Sequence, residues 1–339
     1  MLKAERKSLF ILLTVLFVLS SMLAACGNST GKVADAKAGA IPIKIADISS
    51  NPVFRVAIHQ GLFAKHGIDA QIVTFGTPAE GINSLFIKQT DIAYGADFPV
   101  LNAASKGDYS IIAATGSNTD LNASEWKLYV RDEIQKPEDL QGKKLSSLRG
   151  TFIPYLWDVF LAEHHVDIKN TTLVGQGAFD ESYVALKKGE VDAVWVFGSA
   201  LTSRFQGIRG VHELTDMSKT PVRIGGALIA PNSLIKEHPN AVSGFIQAID
   251  ESSAYIQAHP QEVADLLYKE VKQPKEATLK DLPKNVWEVG FTQQSVDSLS
   301  KQKKYMVEHG IIKKDFDLKT KISLDAVTSA LPDRVTYQK

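Results

Sequence analysis

The sequence predicts an α/β protein of two lobes with a hinge and a cleft between them, and three observations predict it. Ile43–Ile48, Ala70–Phe75 and Asp91–Gly95 are short β-like runs that alternate with helix-like runs starting near Pro52 and Pro78, the βαβ pattern of a parallel sheet. The same alternation returns in Lys144–Leu148, Thr171–Gly175 and Val191–Phe197, with helices expected from about Phe152 to His165 and from Asp180 to Lys188. Between the two sets, Asp132–Gly142 (DEIQKPEDLQG) is a charged surface segment, and the apolar run Ile224–Ala230 reads as a strand returning to the first lobe. Each strand ends in a small polar turn before a helix. Those turns gather at the carboxyl edge of the sheet, where open α/β sheets receive ligands.

The chain has 339 residues, 44% hydrophobic and 22% charged, enough for two domains. Its 38 basic and 38 acidic residues cancel, so no basic surface points to nucleic acid. At the start, Lys3, Arg6 and Lys7 precede the apolar run Leu9–Leu19. This is the pattern of a secretory signal, too short for a permanent membrane span. Leu23-Ala24-Ala25-Cys26 resembles a bacterial lipobox, and Cys26 is the single cysteine. A lone thiol in an exported chain has no disulfide partner, whereas lipidation turns it into a thioether anchor. Two acyl chains, at ~0.8 kcal/mol per buried methylene, hold to a membrane where one does not. Residues 1–25 are therefore expected to be a lipoprotein signal peptide. Residues 26–41, small and polar through Gly27–Gly39, read as a flexible tether.

The first lobe is assigned to 42–131 and 224–339, the second to 132–223. In the first, Phe54, Ile58 and Leu62 repeat at the spacing of one buried helix face, with Gly67 suited to a left-handed cap. Thr77-Pro78-Ala79-Glu80 is a capping box with proline at the first helical position, after which Ile82, Leu85 and Phe86 face the core. Strands follow at Ser110–Thr115 and Trp126–Arg131. In the second lobe, Ile153, Leu156, Val159 and Phe160 make one apolar face, and Pro154 fits only the first helical turn. The last third is helical, with stripes at Val242, Phe245, Ile246 and Ile249, at Val263, Leu266 and Leu267, and at Val296, Leu299 and Met306.

Several pieces together resemble the solute-binding lipoproteins of ABC importers for aliphatic sulfonates, taurine, nitrate and thiamine-precursor pyrimidines. They are Asn51-Pro52, Gly61-Leu62-Phe63-Ala64-Lys65-His66-Gly67-Ile68-Asp69, Lys88-Gln89-Thr90-Asp91-Ile92-Ala93-Tyr94-Gly95, Asp139-Leu140-Gln141-Gly142-Lys143-Lys144, Ala185–Ala193 and His238–Val242. Spanning about Ile43 to Leu267, they are mostly scaffold and do not select a ligand. The resemblance implies a type II periplasmic-binding-protein fold, a small organic anion as ligand, and an ABC permease and ATPase as partners. It also implies a monomer held by Cys26 on the outer face of the cell membrane, without cofactor or metal. Sulfonate or taurine is the nearest match. A pyrimidine or nitrate binder is the alternative, and a pyrimidine-synthesis enzyme on the same fold is the alternative of another class.

The turns supply the candidate ligand residues. Ser49, Ser50 and Asn51 precede a helix whose N-terminus receives anions without a formal cation, although Asn51 also suits a plain cap. Arg55, in the first turn of that helix, is expected to reach the cleft. Thr77 is a contact or only a cap, and Asp97, with Phe98 beside it, would hold an ammonium group or cap its helix. In the second lobe, Arg149 would clamp a sulfonate, Gly150 permits close approach and Thr151 adds a hydroxyl. Phe152, Phe179, Phe197 and Ser199 stand in the corresponding turns, where aromatic faces suit core or ring ligand. Catalytic motifs are missing. Gly142-Lys143-Lys144 lacks the rest of a phosphate loop, His212-Glu213 lacks the second histidine of a zinc-protease helix, and adjacent His164 and His165 cannot share one helix face. No Gly-x-Ser-x-Gly elbow is present.

Overall fold

A computed structural model describes residues 39–115, 119–285 and 287–339. The signal segment, Cys26 and most of the tether lie outside the described residues. The first lobe starts with β1 (Ile41–Ile48), α1 (Val53–His59), α2 (Leu62–Lys65), β2 (Ile68–Phe75), α3 (Pro78–Asn83), β3 (Ile92–Ala96), α4 (Asp97–Lys106) and β4 (Tyr109–Thr115). After the short helix α5 (Asp120–Ala123) the second lobe follows: β5 (Trp126–Arg131), β6 (Lys144–Leu148), α6 (Ile153–Glu163), β7 (Thr172–Gln176), α7 (Phe179–Lys188), β8 (Ala193–Phe197), α8 (Ser199–Gln206) and β9 (Val211–Asp216). The chain returns through β10 (Gly226–Pro231) and runs on as α9 (Asn232–Glu237), α10 (Pro239–Ala258), α11 (Pro260–Val271), α12 (Lys275–Asp281), β11 (Val289–Gly290), α13 (Gln293–Glu308) and α14 (Asp325–Ala330).

Two sheets result, ordered β11-β4-β10-β3-β1-β2 and β7-β6-β8-β5-β9. β1 pairs in parallel with β2 from Ile41↔Ile68 to Ile48↔Phe75, as the βαβ pattern predicts. Neither sheet is wholly parallel. β10 runs antiparallel to β3 and β4, and β5 antiparallel to β8 and β9. Each is the first strand after a crossing. A strand arriving from the other lobe enters its sheet from the cleft edge, so it runs against the strands that end there. Trp126–Arg131, expected in the first lobe, pairs instead with β8 and β9 in the second sheet, so the chain crosses before Trp126.

The first lobe's core is where the stripes meet the strands. Ile43, Ile45, Ile92 and Ile111 are fully buried, as are Val242, Phe245, Ile246 and Ile249 of α10. Phe245 lies 5.1 Å from Phe63 and 6.0 Å from Phe54 between ring centroids. Two expected core residues face out instead. Gly61, at φ +69°, breaks the first helix into α1 and α2, and Ile58, near the end of α1, is 39% exposed. α3 stops at Asn83, so Phe86 falls in the following turn and lies edge-on to Tyr109, centroids 5.5 Å apart.

Candidate functional site between the strand-end turns

The turns of the two lobes face each other. Gly150, at φ +73° after β6, comes so close to α3 that a Cβ on it would lie 3.4 Å from the Cβ of Ala79. Only a glycine adopts this backbone easily, and it brings the second lobe's turn against the first.

On the first lobe most predicted polar residues are committed within the protein. Ser49 and Ser50 are exposed. Asn51, 3% exposed, accepts the Val53 amide at 3.1 Å and donates to Asp47 Oδ1 at 2.8 Å. It starts the helix and holds a buried acid. Burial pushes the Asp47 carboxyl up to about 8, against the opposing pull of Asn51, the Ile48 backbone and Arg55. Arg55 was expected to reach the cleft. It instead donates to Thr74 Oγ1 at 3.1 Å and pairs with Glu270 of α11 at 3.5 Å. Thr77 accepts the Glu80 amide at 3.3 Å, while Glu80 accepts from Gly76 at 3.0 Å, one residue upstream of the expected box.

Asp97 is neither a free ammonium partner nor a cap. It is 2% exposed and accepts from the Gly225 amide at 3.0 Å, Ser298 Oγ at 2.6 Å and Gln302 Nε2 at 2.7 Å. Gly225 is the last residue before β10, so Asp97 ties the returning crossing to α4 and α13. Its carboxyl is pushed up to about 6 by burial, with the three donors pulling the other way. Phe98 is buried, its ring 6.5 Å from Tyr305 of α13, rather than open to a ligand.

The second lobe's turns are more open. Arg149 is exposed and donates to the Gly175 carbonyl at 2.8 Å. Thr151 donates to the Leu148 carbonyl at 2.8 Å and accepts the Ile153 amide at 3.3 Å. Phe152, Phe179 and Phe197 share one neighbour that sequence reasoning missed. The partly exposed Trp126 lies 4.8 Å from Phe152, 4.9 Å from Phe197 and 6.3 Å from Phe179 between ring centroids. Trp126 stands opposite Phe197 across the antiparallel β5–β8 pair. Trp287, also missed, packs on Tyr94 at 4.7 Å in the first lobe. The signal for Trp126 was its place at the head of a strand, legible only once β5 is known to run against β8.

Ser199, at the head of α8, is occupied. Its amide donates to both oxygens of Asp281, at 3.1 and 3.0 Å. Two cavities lie elsewhere. One of about 660 Å³ is bordered by α13 and the C-terminal residues Tyr337 and Gln338. Another of about 280 Å³ lies between β5, α8 and α12, and of the predicted residues only Ser199 lines it.

Comparison with known proteins fits this arrangement. Residues 52–263, more than half of the chain, match the family model described as NMT1/THI5 like. The chain belongs to the NMT1/THI5-like family. Among relatives of this NMT1/THI5-like chain, a Brucella abortus (strain 2308) protein named as a binding protein is 26% identical over 253 residues, covering 72% of this chain and 76% of its own. A Bacillus subtilis (strain 168) protein named for binding aliphatic sulfonates is 24% identical over 285 residues, covering 83% and 82%. The alkanesulfonate-binding protein SsuA of Xanthomonas axonopodis pv. citri, solved with MOPS bound, shares the fold at a TM-score of 0.73. It is 14% identical, over 85% of this chain and 99% of that one. The desulfurization enzyme DszB shares it at 0.64 and 12% identity, over 86% and 99%. The type II periplasmic-binding-protein fold, two lobes about a hinge and cleft, is the fold of this NMT1/THI5-like chain.

Proposed function

We propose that this chain is the extracytoplasmic solute-binding component of an ABC importer, and that it captures a small organic anion and delivers it to a permease and its ATPase. The observation that carries this reading is the meeting of the two lobes' strand-end turns at Gly150 and Ala79. A two-lobe protein closes on a ligand at that seam. An aliphatic sulfonate is the first choice, in keeping with the relatives named for sulfonates. Taurine stands behind plain sulfonates, because Asp97 is turned into the hinge and leaves an ammonium end without that partner.

Lobe I then comprises the six-stranded sheet with α10–α14, lobe II the five-stranded sheet. The chain acts without catalysis, as a monomer, leashed by lipid on Cys26 to the outer face of the membrane. A second reading, a thiamine-precursor pyrimidine, is favoured by the ring faces around Trp126. An enzyme on this fold, as DszB is, is the reading of another class, and turnover of a bound sulfonate would establish it.

Melting the purified protein against a panel of sulfonates, nitrate and a pyrimidine tests the ligand class. A ligand at 100 times its Kd stabilises by ~2.7 kcal/mol. A shift with a pyrimidine alone would replace the sulfonate reading. Cys26→Ser tests the anchor: the protein is expected to leave the membrane fraction, and retention there would contradict lipidation.

A further inference from the structure

Ser298, Gln302, Tyr305 and His309 follow one another at spacings of four, three and four, which sets them on one face of α13 and its C-cap. The near half of that face is rooted in the first lobe at the hinge. Ser298 Oγ and Gln302 Nε2 donate to Asp97 of α4, and Ser298 Oγ also approaches the Arg223 carbonyl oxygen at 3.2 Å. The far half meets α6 of the second lobe. The Tyr305 ring stands edge-on to Tyr155, centroids 4.8 Å apart, and stacks on His309 at 3.9 Å. His309 Nδ1 lies 2.9 Å from the Tyr305 carbonyl oxygen, and its Nε2 lies 3.8 Å from Asp158 Oδ2. Burial, and after it the Asp158 charge, raises both tyrosine hydroxyls, that of Tyr305 to about 12. Both therefore stay protonated beside that carboxylate.

A second contact between the last third of the chain and the other lobe's approach lies at the crossing itself. Lys284 pairs with the buried Glu125, and Asn285 accepts from Asn122 Nδ2 at 2.8 Å. Asn122 and Glu125 belong to the segment that leads into β5. Displacement in a hinge motion grows with distance from the pivot, so this contact moves little. The α13 contact is different, because at 1.5 Å per residue His309 stands roughly 16 Å along the helix from Ser298. Tyr155 and Asp158 also swing with the Gly150 turn, which leads into their helix and meets Ala79. We propose that the Tyr305–His309 tip of α13 is a latch, which engages Tyr155 and Asp158 of the second lobe and biases the lobes toward closure before a solute enters. It rests on the hinge and cleft of the fold and on no particular solute. A ligand that binds the closed form gains apparent affinity in proportion to the fraction already closed, so the latch raises affinity without touching the ligand.

Small-angle X-ray scattering of the purified protein with no solute added, in wild type, Tyr305→Ala, Asp158→Arg and Asn285→Ala, tests it. Tyr305→Ala removes the ring between Tyr155 and His309, and Asp158→Arg sets a cation where an acid faced His309. Both are expected to raise the radius of gyration and lengthen the maximum dimension. Asn285→Ala breaks the contact at the crossing and is expected to lower the urea midpoint while scattering as wild type does. Should Tyr305→Ala lose its cooperative urea transition, Asp158→Arg carries the comparison, since Asp158 is partly exposed and lies outside the core. Scattering unchanged in both latch variants overturns the proposal, and so does an equal expansion in Asn285→Ala. Neither result bears on solute binding, which the melts with added solutes test separately.

Discussion

The strand-end turns of the two lobes carry different residue types and do different work. In the first lobe, Asn51, Thr77 and Asp97 are all buried and their side chains bond to the protein's own backbone and helices. In the second, Arg149 is exposed, Gly150 touches the opposite lobe, and Trp126, Phe179 and Phe197 remain partly exposed. A polar group buried and satisfied is a fixed part of the frame, because releasing it leaves its donors unpaired. An aromatic face left partly open is available to a guest. The first lobe therefore reads as the frame and the second as the selective surface.

Substitutions can break that division. The largest effect is expected for Asp97→Ala, which strands the Gly225 amide, Ser298 and Gln302 together. It should cost about 3 kcal/mol of stability, read as a lowered urea midpoint, while the order of ligand preference stays unchanged. A change of ligand order without loss of stability would move Asp97 from frame to site. Trp126→Ala is the converse test. Removing the ring shared by three phenylalanines should weaken the bound solute by about 2 kcal/mol, roughly thirtyfold in Kd, as read by calorimetric titration. Unchanged affinity would make the aromatic group core alone.

Smaller effects sharpen the picture. Thr77→Ala removes one cap and should cost about 1 kcal/mol of stability, with ligand affinity intact. Asp47→Asn should alter a slope more than a level. Asp47 and Asp97 are raised from 3.8 to about 8 and about 6, so above pH 3.8 the folded chain holds protons that the unfolded chain has released. Their contribution to stability is complete below that pH and is lost as pH rises through 6 and then 8. Asparagine cannot ionise. The fall in urea midpoint from about pH 6 to about pH 8.5 should therefore be shallower in Asp47→Asn, and an equal fall would contradict the buried-acid account.

Local signals made much of the fold legible. The βαβ spacing placed β1, β2 and β3, the Thr77-Pro78 cap placed α3, and the Val242–Ile249 stripe placed the face of α10. What was not legible depended on distance along the chain. Trp126 becomes a site candidate only when β5 is seen to run antiparallel beside β8, a pairing its local pattern does not carry. Asp97 looks like any acid after a strand until Gly225 and Ser298, 128 and 201 residues on, are folded against it. Nothing local to Arg55 announces its partner, because Glu270 lies 215 residues on. Hydrogen-bond partners that far apart leave no periodicity to read.

Native mass spectrometry of the protein taken from its own membrane tests the central claim most directly. The account predicts a population carrying one small organic anion, displaced by added sulfonate and lost in Trp126→Ala. A protein that carries no such mass, and takes up no sulfonate when one is supplied, would contradict it.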